Sequence, residues 1–219
     1  RALLASVPQG WEVVAPDRSQ LDLADSASIR AAAAARQPDL VINAGAYTAV
    51  DKAESEPELA RAINAQAPRV LAECLAEQGK RGRLVQVSTD FVFDGRSRQP
   101  YRPGDARNPL SVYGQTKAEG EDGAGTDAII LRTSWVHAAG GANFVRTMLR
   151  LMRERDTLRV VADQYGAPSW APEIARTIWA LAAKDQPGVY HHRDAGQTSW
   201  HRFAEAIAEE ALALGLITR

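Results

Sequence analysis

The first candidates for chemistry in this sequence are a tyrosine and a lysine four residues apart, in the segment Tyr113-Gly-Gln-Thr-Lys117. On a helix this spacing places both side chains on one face, with their Cβ atoms about 5–6 Å apart. A phenol has an ordinary pKa of about 10, and a neighbouring ammonium can lower that pKa by roughly 1–3 units. The spacing therefore predicts a tunable proton donor for a carbonyl oxygen, although an ordinary surface helix can carry the same two residues.

Polar and small residues follow the apolar runs that precede this helix. Ser88-Thr89-Asp90 ends one run. A hydroxyl at this point can bind a substrate oxygen without adding charge. Such residues also cap helices and form turns. Asn43-Ala-Gly-Ala-Tyr-Thr48 ends another, where small residues let the backbone approach a ligand. Asp22 and Leu23 follow the first run, where an acidic group could meet an adenosine. These segments predict one ligand site, because parallel strands bind ligands at their carboxyl ends.

The elements that must position these residues alternate between strands and helices. Apolar runs predict strands over residues 11–15, 40–45, 83–88, 128–132, 158–161 and 188–191. Periodic segments predict helices over residues 26–35, 56–78 with a kink or break at Pro68, 111–121, 143–155, 172–183 and 199–214. The alternation predicts an α/β fold with a Rossmann-like parallel sheet wound on both faces. We expect a dinucleotide-binding domain over residues 1–136. Residues 137–219 should form a small substrate lobe and return some elements to the sheet.

Composition excludes several classes of protein. The 219 residues are 45% apolar and 24% charged, with 26 Lys and Arg against 27 Asp and Glu. These values are typical of a globular protein, and the net charge of −1 gives no electrostatic reason to expect nucleic acid. Cys74 is the single cysteine, so no intramolecular disulfide forms and a cytoplasmic location is expected. His191 and His192 point to opposite faces of a strand, so we expect no metal site.

Several segments, taken in order, resemble the extended short-chain dehydrogenase/reductase family and, within it, the dTDP-4-dehydrorhamnose reductases. The Tyr113 and Lys117 pair is shared by the whole superfamily. The sequence motifs that contain Trp135 and Tyr165 are specific to the narrower group of reductases. The segments are Asn43-Ala-Gly-Ala-Tyr-Thr-Ala-Val-Asp-Lys-Ala-Glu54, Ser88-Thr-Asp-Phe-Val-Phe-Asp-Gly95, Val112-Tyr-Gly-Gln-Thr-Lys117, Leu131-Arg-Thr-Ser-Trp135, Asn143-Phe-Val-Arg-Thr-Met-Leu149, Asp163-Gln-Tyr-Gly-Ala-Pro168 and Thr198-Ser-Trp200.

The resemblance implies NADPH- or NADH-dependent reduction of the C4 keto group of dTDP-4-dehydro-L-rhamnose. Tyr113 would protonate the developing oxyanion, Lys117 would bind the nicotinamide ribose and lower the Tyr113 pKa, and Thr89 would polarise the carbonyl. Asp90 and Trp135 would border the sugar. The positions matched to the cofactor are Asp22, Leu23, Gly45, Ala46, Tyr47 and Thr48, together with Tyr113 and Lys117. A homodimer is compatible with the resemblance.

Other functions remain open at this stage. A non-catalytic relative, such as the regulatory subunit of methionine adenosyltransferase, shares much of this pattern, and so do other nucleotide-sugar epimerases and reductases. Two residues depart from the reductase pattern, because Phe91 and His137 stand where tyrosines are common. The resemblance also places a first strand and a glycine-rich phosphate-binding turn immediately before Arg1. We therefore expect the sequence to be part of a longer protein.

Overall fold

The elements of the computed structural model, which describes residues 1–80 and 83–218, follow the predicted alternation of helices and strands. The helices are α1 (Ala2–Ala5), α2 (Ser26–Arg36), α3 (Val50–Ala53), α4 (Pro57–Arg61), α5 (Ala67–Glu77), α6 (Val112–Ala124), α7 (Phe144–Glu154), α8 (Ala171–Lys184) and α9 (Trp200–Ala213). The strands are β1 (Val41–Asn43), β2 (Leu84–Thr89), β3 (Ile129–Thr133), β4 (Val136–His137), β5 (Tyr165–Gly166), β6 (Ser169–Trp170), β7 (Gly188–His191) and β8 (Thr198–Ser199). Within the described residues, no helix is both long and apolar enough to cross a membrane.

Four strands form a parallel sheet in the order β1-β2-β3-β7. Ser88 pairs in register with Arg132, and Thr89 pairs with Thr133, at the carboxyl ends of β2 and β3. All five residues of β3 are buried, as expected for the apolar strands of a parallel sheet that is covered by helices. The sheet and its flanking helices confirm the predicted α/β fold.

The core of the sheet forms between strands and the helices that follow them. Ile29 of α2 and Leu71 of α5 pack with Leu84 of β2 and Ile130 of β3, and each is at most 5% exposed. Cys74 of α5 lies in the same cluster, where burial raises the pKa of its thiol. It is therefore a packed side chain, as its position on an apolar helix face predicts.

Three predicted elements differ in the structure. Residues 11–15 and 158–161 are not strands, because neither segment pairs with a neighbouring strand. In the first, Trp11 packs edge-on against Trp179 while Val14 is 61% exposed. The helix predicted over residues 56–78 contains a π-helical turn, Ala62–Gln66, which ends two residues before Pro68. Proline has no N–H to donate, which favours a change of hydrogen-bond pattern at this point.

Contacts divide the chain into two units. The first, the sheet unit, comprises residues 7–133 and 177–191. The second unit comprises residues 1–6, 134–176 and 192–219. Arg219 lies outside the described residues. The strands β4 and β6 pair in parallel in the second unit, and β5 and β8 pair antiparallel. Helices α7 and α9 pack there around Met148, Ala204 and Ile207. The roles expected for residues 1–136 and 137–219 stay predictions.

Candidate active site

Thr89 ends strand β2 at the edge of the sheet that binds ligands in this fold class. A 3₁₀ turn, Asp90–Val92, begins immediately after it, and the Oγ1 atom of Thr89 accepts the N–H of Phe91 at 3.2 Å. The same hydroxyl lies 3.2 Å from Oδ1 of Asp90. Thr89 is only 6% exposed, so its hydroxyl is fixed beside the carboxylate of Asp90, which is itself exposed.

Tyr113 lies in the first turn of α6. The hydroxyl of Ser111 caps the helix by accepting the N–H of Gly114 at 3.1 Å. Glu54 Oε1 also accepts the N–H of Val112, at 2.8 Å. A Cβ atom at position 114 would lie 2.3 Å from the carbonyl oxygen of Phe91, so only glycine lets α6 approach the turn after β2 this closely. These contacts place the Tyr113 ring edge-on to Phe91, at a centroid distance of 5.4 Å.

Burial raises the pKa of Tyr113 above its ordinary value, and the charge of Asp90 raises it further. A hydrogen bond with Thr89 opposes this shift. The expectation that Lys117 lowers the Tyr113 pKa is therefore wrong for the protein alone. The physical reason is that a phenolate loses its hydration when buried, and this loss is the dominant effect on Tyr113. The phenol consequently stays protonated at neutral pH, which is the form that a general acid requires.

Lys117 extends from α6 to the neighbouring strand, where its Nζ donates to the carbonyl oxygen of Val87 at 2.7 Å. It is 4% exposed, and burial lowers its pKa to about 8, against the opposing charge of Glu121. Tyr113 and Lys117 thus both reach β2 from one helix, as their spacing predicts. The carboxyl end of β2 carries a hydroxyl, a buried phenol and a buried ammonium within one unit.

A buried ion-pair network behind these residues escaped the sequence analysis. Arg132 of β3 donates to both carboxylate oxygens of Glu121 in α6, at 2.8 and 2.7 Å. Ser88 donates to the same carboxylate at 2.5 Å, and Arg107 reaches it at 3.2 Å. Arg132 also donates to the carbonyl oxygen of Pro103 at 3.2 Å, so the network ties the long loop over residues 94–108 to the helix that carries Tyr113. The signal was the spacing: Glu121 continues the face of α6 one turn beyond Lys117.

A second missed residue, Asn64, lies in the π-helical turn. Its Oδ1 accepts the N–H of Tyr47 at 2.9 Å, and its Nδ2 lies 3.1 Å from the Tyr47 carbonyl oxygen and 3.2 Å from Thr116 Oγ1 in α6. The Tyr47 hydroxyl donates to Glu56 at 2.6 Å. Asn64 therefore joins the loop after β1 to the helix of Tyr113. Its position agrees with the frequent occurrence of π-turns at functional sites.

The residues expected to line a cofactor come together in part. A Cβ atom at Gly45 would lie 2.6 Å from Cδ1 of Leu23, so these two positions touch. Asp22 accepts the N–H of Ala24 at 2.9 Å, which lowers its pKa, and it pairs with Arg18 at 3.4 Å. Of the other two loop positions, Ala46 is half-buried and Thr48 is exposed.

Polar groups are also buried at the carboxyl end of β3. The Thr133 hydroxyl, beside Thr89 in the sheet, is buried and has no hydrogen-bond partner among the described residues. A buried hydroxyl without a partner costs free energy, so Thr133 has a free hydrogen-bonding group to offer at this strand end. Lys117 and Tyr113 supply further polar atoms there. Within residues 1–80 and 83–218, no cluster of His, Cys, Asp and Glu has a metal-binding arrangement.

Trp135 belongs to the second unit and is described within it. Its backbone φ is +49°, and its ring stacks on Trp200 at a centroid distance of 3.6 Å. The neighbouring His137 lies 5.4 Å from the ring of Trp170 and 5.8 Å from that of Phe203. His137 Nδ1 is buried and has no partner in the part of the chain that is described. The tyrosine-to-histidine departure noted in the sequence therefore places an aromatic ring in an aromatic cluster.

Comparison with known proteins gives one consistent result. The family model described as "RmlD substrate binding domain" matches residues 1–215. The dTDP-4-dehydrorhamnose reductase of Burkholderia thailandensis is 45% identical over an alignment of 220 residues, which covers 90% of this chain and 73% of that protein. The crystal structure of a dTDP-4-dehydrorhamnose reductase from Clostridium acetobutylicum superposes with a TM-score of 0.90 at 35% identity, covering 95% of this chain and 75% of that one. The crystal structure of the Bacillus anthracis dTDP-4-dehydrorhamnose reductase in complex with NADP superposes with a TM-score of 0.89 at 33% identity. The match covers 96% of this chain and 75% of that one.

Proposed function

The chain belongs to the family described as the RmlD substrate binding domain, and on that premise we propose that it reduces dTDP-4-dehydro-L-rhamnose to dTDP-L-rhamnose with NADPH or NADH. The relatives compared above are named as reductases, which favours this reaction over an epimerase or a non-catalytic subunit. The observation that carries the proposal is the group of Thr89, Tyr113 and Lys117 at the carboxyl end of β2.

Tyr113 is the proton donor in this proposal. Its raised pKa keeps the phenol protonated at neutral pH, so it has a proton to give to the C4 oxygen. Thr89 donates a hydrogen bond to the same oxygen, which carries the most negative charge in the transition state. The nicotinamide supplies the hydride that C4 receives. One hydride at carbon and one proton at oxygen together convert the ketone to the alcohol.

Lys117 holds the cofactor in this proposal. Its ammonium is anchored at the Val87 carbonyl and binds the hydroxyls of the nicotinamide ribose. Asp22, Leu23, Gly45, Ala46, Tyr47 and Thr48 line the rest of the cofactor, and Asp90 and Trp135 contact the sugar.

The proposal is tested by following oxidation of NADPH and of NADH with the substrate generated in situ. Tyr113→Phe should lower turnover by a factor on the order of 100 or more, because the general acid is lost. Tyr190→Phe is the matched control, since the Tyr190 hydroxyl in β7 donates to the backbone carbonyl oxygen of Gln186 at 3.1 Å. Equal loss in both variants, or full activity of Tyr113→Phe, would refute the catalytic assignment.

We also propose that the enzyme acts in the cytoplasm as a homodimer. The single, buried cysteine needs no oxidising compartment, which supports the location. Light scattering on the purified protein tests the dimer: the mass of one chain would contradict it.

A further inference from the structure

Trp135 has a backbone conformation that aromatic residues rarely adopt. Only three non-glycine residues within the described ranges have positive φ: Gln37, Trp135 and Asp185. Gln37 caps the end of α2, and Asp185 directly follows α8, where a left-handed residue is common. Trp135 does not end a helix, so a helix C-terminus does not account for its positive φ, which costs free energy. Such outliers persist only where their surroundings hold them, and they concentrate at functional sites.

Trp200 is the first of the two residues that hold Trp135. The two indole rings stack with an interplanar angle of 13°. Trp200 is itself fixed as the first residue of α9, where the hydroxyl of Ser199 accepts the N–H of Arg202 at 3.1 Å. Phe144 of α7 packs against Trp200 at a centroid distance of 4.5 Å. One face of the Trp135 ring is therefore covered by a ring that cannot easily turn.

Gly166 is the second residue. A Cβ atom at this position would lie 2.6 Å from Cε2 of Trp135 and 2.9 Å from its Nε1, which is too close for any side chain. Gly166 pairs with Thr198 in the antiparallel strands β5 and β8, two residues before Trp200. The ribbon therefore carries the glycine at the edge of the Trp135 ring, and its strand β8 leads directly into α9, whose first residue stacks on that ring.

We propose that Trp200 and Gly166 are positioning residues that orient Trp135 for recognition of the sugar in a nucleotide-sugar ligand. The inference rests on the proposed function, in which Trp135 contacts the sugar. Trp135 is half-buried, so the stack with Trp200 leaves part of the residue accessible. An indole face packs well against the C–H surface of a pyranose, and its value depends on a fixed orientation. The stack supplies that orientation, while the nucleotide half of the ligand does not depend on it.

The test compares the binding of dTDP-L-rhamnose with that of dTDP by isothermal titration. Trp200→Ala and Gly166→Ala should each weaken dTDP-L-rhamnose about tenfold while leaving dTDP within about twofold. Trp200→Phe should restore most of the affinity, because a phenyl ring can still stack. Gly140→Ala is the matched glycine control, since its Cβ would meet only Arg1 Nη1, at 3.8 Å. Trp179→Phe is the matched tryptophan control, since Trp179 packs against Trp11.

Circular dichroism gives a readout that does not depend on catalysis. Two closely stacked indoles couple electronically and produce an exciton couplet in the far ultraviolet. The couplet is measured in a Trp179→Phe background, because Trp11 and Trp179 form a second close indole pair. In that background it should be lost on adding Trp200→Ala or Trp200→Phe, altered by Gly166→Ala and kept in Gly140→Ala. The inference is overturned if Trp179→Phe alone has no couplet, or if the sugar-to-nucleotide affinity ratio is unchanged in both Trp200→Ala and Gly166→Ala. Absence of turnover in the wild type would instead count against the proposed function, because the couplet would persist.

Discussion

Replacing Lys117 by methionine tests whether the protein keeps a buried ammonium at a cost in stability. Lys117 is 4% exposed, and burial lowers its pKa from 10.5 to about 8. Methionine has a similar length and carries no charge, so it removes the ammonium with little change of volume. A charged group held where its charge is disfavoured is typical of a functional site.

The magnitude follows from the pKa shift. A change from 10.5 to about 8 corresponds to about 3 kcal/mol, at 1.36 kcal/mol per pKa unit. At a pH below 8, Lys117 is protonated in both the folded and the unfolded states, and the full cost is present. As pH rises through 8, the folded state loses its proton first, while the unfolded chain keeps its proton until pH 10.5. The unfolded state then binds more protons, so the free energy of unfolding rises with pH.

The assay is urea unfolding of the wild type and Lys117→Met over a series of pH values. The wild-type free energy of unfolding minus that of the variant should increase by about 3 kcal/mol between about pH 7 and about pH 11. Taking the difference cancels other groups that titrate in both proteins. Lys184→Met, at an exposed position in α8, is the control and should show a constant difference. A constant or falling difference for Lys117→Met would refute the reasoning.

Two further substitutions test contacts behind the site. Arg132→Met should lower the free energy of unfolding by about 3–5 kcal/mol, because it leaves the buried Glu121 carboxylate short of its main partner. The double variant with Glu121→Met should recover most of that loss in urea unfolding, and an unaffected single variant would contradict the account. Gly120→Ala should cost at least about 1–3 kcal/mol, because its Cβ would lie 2.0 Å from the Asn64 carbonyl oxygen. The Cβ of Gly104→Ala would meet nothing within 4 Å, so this variant should have the melting temperature of the wild type. Equal melting temperatures of the two glycine variants would refute the close packing of α6.

Local patterns predicted the elements that carry the site. The apolar run before Ser88 predicted β2, and the spacing of Tyr113 and Lys117 predicted a shared helix face, because both signals depend only on neighbours in sequence. Residues 11–15 show the limit of this reasoning. An apolar run indicates that a segment can form a strand, but a strand also needs a partner, which the run itself does not reveal.

Electrostatics and long-range contacts required the structure. The sequence predicted a lowered pKa for Tyr113, whereas burial in the structure raises it. The prediction was wrong because the extent of burial depends on how α6 packs against β2. Glu121 resembles an ordinary exposed helical acid until the register of β2 and β3 places Arg132 and Ser88 opposite it. The strained backbone of Trp135 has no sequence signal either, since it arises from the contacts with Trp200 and Gly166.

The central claim is that this protein delivers a hydride from a nicotinamide cofactor to C4 of dTDP-4-dehydro-L-rhamnose. The most direct measurement uses cofactor deuterated at the transferable position of the nicotinamide and locates the label in the product by NMR. We predict one deuterium at C4 of the rhamnosyl ring, and none in product formed with unlabelled cofactor. Deuterium at another carbon, or an unlabelled product, would contradict the account.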